Sequence, residues 1–122
     1  MAEAALFIGW GSPIPGREAK GLEVFNEALA FHGDRQQAGE IESFEVAFLT
    51  PHGGELSGFI LIRGSEDQIG ALLRREDFLR INTRAAMVVE DFGVVPAVLG
   101  EALGRQISIY QEAIAEMEQA TA

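Results

Sequence analysis

Leu6-Phe7-Ile8-Gly9-Trp10 is a short apolar run, and Gly11-Ser12-Pro13-Ile14-Pro15-Gly16 stops it at once. An apolar run closed by a glycine and proline cluster predicts a buried strand and then a loop. From Arg17 to about Gln36 the period becomes helical: Leu22, Phe25, Leu29 and His32 share a stripe that Val24, Ala28 and Phe31 widen. Gly21 and Gly33 weaken that helix, the second near its end. Residues 41–50 then alternate, with Phe44, Val46 and Phe48 on one side and Ser43, Glu45, Ala47 and Leu49 on the other. That pattern predicts a half-buried strand suited to a sheet edge. Pro51-His52-Gly53-Gly54 is a turn cluster, so the next strand, 56–63, is expected to return as an antiparallel hairpin.

That returning strand is apolar on both faces. Leu56, Ile60 and Ile62 are predicted to point one way and Phe59 and Leu61 the other, since successive strand residues alternate sides. Ser65 with Gln68 three residues on predicts a capped helix of about ten residues, with Ile69, Leu72 and Leu73 inward. Phe78, Leu79 and Ile81 allow a second short helix reaching Ala86. Met87 to Val95 is expected to form a strand, with Val88, Phe92 and Val94 on one face, stopped by Pro96. The spacing Leu99, Leu103, Ile107, Tyr110, Ile114, Met117 predicts a long helix over about 97–118, and Ala120-Thr121-Ala122 should fray.

The order βαββαβ is the ferredoxin-like α+β arrangement: a four-stranded antiparallel sheet, order 4-1-3-2, with helices on one face. A C-terminal helix is added, and one domain spans 1–122. Strands one and three are central in that order, and they are the ones apolar on both faces. The open side of the sheet therefore needs a cover. A second copy of the chain supplies one; the terminal helix, lying in cis, is the alternative.

Composition narrows the partners. Nineteen acidic against nine basic residues give a net charge of −10, which argues against nucleic acid because such a surface repels phosphates. No cysteine is present, so disulfides and thiolate-held metals are excluded. The apolar run near the N-terminus is too short for a signal peptide, and no stretch approaches the ~20 apolar residues of a membrane span. Cytoplasmic residence is the default expectation.

In element order and strand patterning over residues 5–95, the chain resembles the dimeric α+β barrel superfamily. There, two ferredoxin-like protomers pack their open sheet faces together. The resemblance implies a homodimer. Members include cofactor-free monooxygenases, haem-degrading enzymes, muconolactone-isomerase-like and YCII-like proteins, and ligand domains of transcription regulators. The fold alone does not select among them.

Candidate chemistry is sparse. The loop 9–17 ends at a helix start, where Arg17 is a candidate to clamp a carboxylate, but neither a dinucleotide fingerprint nor the P-loop lysine is there. His32 lies within the apolar arc of the first helix, and Glu90 is expected to share the face of Val88 and Phe92, where burial would raise its pKa. Those two are the candidate catalytic groups. Against them stand a core histidine and a charge that protects an edge strand. The two histidines, His32 and His52, lack metal-ligand spacing, so no metal and no cofactor is expected. Trp10 at a strand end, Arg17, Phe59, Leu61 and Arg63 are the candidate ligand-binding residues, with Leu49 and Met87 further candidates to line the sheet face. Tyr110 is expected in the core, and Arg63 alternatively in a rim salt bridge.

The sequence thus points to a homodimeric binding or structural module with an apolar seam or cavity at the sheet face, taking a small apolar ligand. The alternative is a cofactor-independent enzyme, monooxygenase- or isomerase-like, acting on a small apolar or aromatic compound in the same cavity. Haem binding is a third reading, which requires an axial ligand in a pocket mouth.

Overall fold

A computed structural model describes residues 2–121. Its elements are β1 (Ala4–Trp10), α1 (Glu18–Gln37), β2 (Ser43–Phe48), β3 (Gly58–Gly64), α2 (Glu66–Leu73), α3 (Glu76–Ala86), β4 (Gly93–Val98) and α4 (Gly100–Thr121). The strands form one antiparallel sheet in the order β2-β3-β1-β4. This is the ferredoxin-like α+β fold with a C-terminal helix, and the two doubly apolar strands are the central ones.

The register fixes two chemically different faces. Phe44, Ile62, Leu6 and Pro96 form one cross-sheet row, and Val46, Ile60, Ile8 and Val94 the next. Leu6, Ile8, Ile60 and Ile62 of these rows are buried in one core cluster with Ile69 and Leu72 of α2 and Phe78 of α3. Ser65 starts α2 with a complete capping box: its Oγ accepts from the Gln68 N–H at 3.1 Å, and its own N–H donates to Gln68 Oε1 at 2.8 Å. The opposite face carries Phe7 and Val95 in one row with Leu61 and Glu45, and Phe59 beside Gly9. Phe7 and Phe59 stack there at 5.1 Å, and a side chain on Gly9 would strike Phe7 at 2.8 Å. Val95 is 53% exposed.

The expectations for the fourth strand and for Leu56 are corrected. The fourth strand is residues 93–98 rather than 87–95, and Pro96 sits inside it. β4 hydrogen-bonds only to β1, and an edge is where a sheet tolerates a proline. Residues 88–90 instead run beside the loop after β1: the Gly11 N–H donates to the Glu90 carbonyl at 2.7 Å, the Glu90 N–H to that of Ser12 at 2.9 Å, and the Ile14 N–H to that of Val88 at 2.9 Å. Leu56 precedes β3 and leaves the alternation; its Cδ1 lies against Gly9, on the Phe59 side.

The inward face of α1 is also rotated. Leu22 is 62% exposed, whereas Val24 and His32 are buried. α4 leaves Leu103, Ile107 and Ile114 of its stripe exposed. Ala102 alone of its described side chains is buried, and Tyr110, expected in the core, is 68% exposed. Of the tail expected to fray, Ala120 and Thr121 are helical and Ala122 lies outside the described residues.

Candidate functional site

A cavity of about 300 Å³ lies between the sheet and helices α1 and α3. It is on the helix-covered side, the opposite side from the one expected. Its floor is Ile8 and Ile60, and its helical walls carry Gly21, Val24 and Ala28 from α1 and Ile81 and Ala85 from α3. Small residues where leucines would fill the layer are the local cause of the space. The exposed liners Pro13, Glu18, Leu22 and Phe48 mark the mouth, and the buried His32 marks the inner end.

Aromatic rings dominate the mouth. The Trp10 ring meets Phe25 edge-on at 5.8 Å and Phe48 at 6.3 Å, while Phe25 and Phe48 are 5.4 Å apart. Trp10 can lie there because Gly58 is opposite it in the ladder. A side chain on Gly58 would come within 2.8 Å of both the indole and the Ala47 carbonyl. Phe92, from the turn before β4, completes the aromatic lining.

His32 is the chemically singular group. It is 1% exposed and ringed by Phe31, Phe44 and Phe78, with centroids 5.6, 5.7 and 6.2 Å away. Its Nδ1 has no hydrogen-bond partner among the described residues. Burial lowers its pKa from 6.5 to about 4, so the ring is neutral at pH 7. The other polar liners are the Trp10 indole, Ser57, Asn82 and, at the mouth, Glu18.

The remaining sequence candidates are elsewhere. Arg17 does not line the cavity; its guanidinium donates to the Met87 carbonyl, the residue that ends α3. Favourable placement of a cation at a helix C-terminus accounts for that pairing. Glu90 is exposed on the segment paired with the β1 loop and does not share a strand face with Val88 and Phe92. Phe59, Leu61 and Arg63 lie on the open sheet face, where Arg63 donates to Glu45 on the neighbouring strand at 2.7 Å. Leu49 and Met87 are exposed. His52 folds the hairpin tip, accepting from the Gly54 N–H at 3.1 Å, with Nε2 2.8 Å from the Leu56 carbonyl.

The structure thus brings Trp10 and His32 to one cavity and leaves the other candidates outside it. Phe25, Phe48, Asn82 and Phe92 were not singled out from the sequence. The signal that could have found the site is Gly21 and Ala28 beside Val24 on the inward face of α1. Among the described residues no group of His, Cys, Asp and Glu gathers that could hold a metal ion, and no helix is long and apolar enough to cross a membrane.

No protein-family model matches the chain. No curated protein matches it either. Solved structures do. A dimeric ferredoxin-like protein of unknown function from Jannaschia sp. CCS1 aligns with a TM-score of 0.60 at 10% identity, over 80% of this chain and 98% of that one. The hydroxynitrile lyase of Passiflora edulis gives 0.61 at 13%, over 83% and 97%. A mutant of a cofactor-independent oxygenase from Streptomyces nogalater gives 0.52 at 14%, over 81% and 93%. The likeness is one of fold. It agrees with the ferredoxin-like element order read from the sequence. Three neighbours with such different descriptions show that this fold does not fix a chemistry. Each neighbour is covered almost completely, while about a fifth of this chain lies outside the alignment.

Proposed function

We propose that this protein is a homodimeric binding module whose protomers each hold one small apolar or aromatic molecule between the sheet and helices α1 and α3. The cavity carries the reading. At about 300 Å³, lined by four aromatic rings and a few polar groups, it has the size and chemistry of a small-ligand site. Binding is favoured over catalysis because His32 has no carboxylate orienting it, and a ring titrating at about 4 is a weak base at neutral pH. Trp10 is the only tryptophan, so its emission reports on the cavity directly. Titration with naphthalene should shift that emission saturably, at one molecule per chain. Unchanged emission up to the solubility limit would remove the reading.

Surface area supports the dimer. A compact monomer of 13.2 kDa exposes about 6,400 Å², against 7873 Å² for this chain. The excess, about 1,500 Å², exceeds the ~800 Å² per partner of a standard interface. The exposed surface includes apolar residues, namely half-buried Phe7, Phe59 and Leu61 and exposed Val95 on the open sheet, and Leu103, Ile107 and Ile114 of the α4 stripe. A second copy packed on the open face would bury the first set, and α4 reaching across the partner would bury the second. The neighbour from Jannaschia is itself described as dimeric. Sedimentation equilibrium should give twice the chain mass; a monomer at micromolar concentration would refute this part. Cytoplasmic residence, and the exclusion of nucleic acid that the charge of −10 supports, complete the proposal.

A further inference from the structure

We infer that the ligand of this cavity is an uncharged aromatic or apolar molecule bearing one hydroxyl, and that the hydroxyl hydrogen-bonds to the imidazole of His32. The inference rests on the cavity being a ligand site and adds the chemistry that site selects. His32 lines the cavity, is 1% exposed, and has an Nδ1 that meets no partner among the described residues. A buried polar atom without a partner is costly, and a packed core would satisfy it or replace it. The three rings around the imidazole can do neither, since none offers a hydrogen-bonding atom beyond its π face. His32 is also a lining residue of the cavity, and the cavity is the route by which a partner for its imidazole can arrive.

The chemistry of that partner follows from its surroundings. A neutral imidazole has one donor nitrogen and one acceptor nitrogen, and a hydroxyl can serve either, whichever tautomer is present. An anion is disfavoured: the cavity has no Lys or Arg among its lining residues, and Glu18 stands at its mouth. An ammonium carried to the inner end would lose its hydration among Phe31, Phe44 and Phe78 with no carboxylate there to replace it. A neutral hydroxyl on a ring is what remains, its ring against Trp10, Phe25 and Phe48 and its oxygen inward.

The test compares 2-naphthol, naphthalene and 2-naphthoate by calorimetry at pH 7, on the full chain and on His32→Phe. The same titrations are followed by the ring ¹⁵N resonances of His32. The inference expects 2-naphthol to bind at least about tenfold more tightly than naphthalene, the scale of one buried hydrogen bond. It also expects the advantage to vanish in His32→Phe, and the His32 ¹⁵N signals to move with 2-naphthol but not with naphthalene. Should that variant fail to fold, the ¹⁵N response of the unaltered protein decides. Equal binding of 2-naphthol and naphthalene, with unmoved ¹⁵N signals, overturns the role of His32 and leaves the cavity reading intact. Tightest binding of 2-naphthoate overturns the uncharged class. No binding of any of the three overturns the cavity reading itself.

Discussion

Replacing His32 by leucine should flatten the acid side of the stability profile. In the folded chain burial holds the imidazole pKa at about 4, against 6.5 when solvated. Between those values the unfolded chain binds a proton that the native chain refuses, so wild-type stability falls as pH drops from 6.5 towards 4 and is unaffected above. That displacement corresponds to about 3 kcal/mol in full, most of it already lost at pH 4.5. His32→Leu has no imidazole to protonate, so this loss is absent from it. Urea unfolding at pH 7.5 and 4.5, at one fixed protein concentration, should show wild type losing about 2–3 kcal/mol more than the variant. At pH 7.5 the variant should be the more stable, by about 1 kcal/mol, because an unsatisfied nitrogen has been removed from the interior. Parallel pH dependence of the two proteins would refute the claim that a neutral histidine is enclosed at the end of the cavity.

Other outcomes follow from the same geometry. Leu61→Asp places a charge at the centre of the open face, beside Phe7 in the ladder, and should convert the dimer to folded monomer; an unchanged sedimentation coefficient would contradict the proposed seam. Gly58→Ala would press on the Trp10 indole and the Ala47 carbonyl, costing about 1–3 kcal/mol and shifting Trp10 emission; a silent substitution would mean that Gly58 does not set the indole's place. Ser65→Ala removes the acceptor for the Gln68 N–H and should lower stability by about 1 kcal/mol in urea titration, with ligand affinity unchanged.

Element order was legible because each boundary carries its own chemistry. Ser65 and Gln68 announce a helix start, Pro51-His52-Gly53-Gly54 a turn, and the alternation through Phe44, Val46 and Phe48 a strand, although Val46 and Phe48 are exposed in it. Tertiary position was less legible. Pro96 reads locally as a stop, and only the sheet order reveals that β4 is an edge that accommodates it. Leu22 and Leu29 suit the α1 stripe as well as Val24 and Ala28 do, since apolar residues on adjacent positions leave its rotation underdetermined; packing chose Val24. The open face was inferred correctly as apolar from Phe59 and Leu61. Its need for a cover says nothing of a cavity, however, and the cavity formed where Gly21, Ala28 and Ala85 leave the helices short of filling the layer.

Native mass spectrometry of the protein purified from the organism that makes it tests the account most directly. The account predicts a dimer carrying up to two copies of one small neutral molecule, released on unfolding. A bare monomer would contradict both the seam and the cavity's purpose.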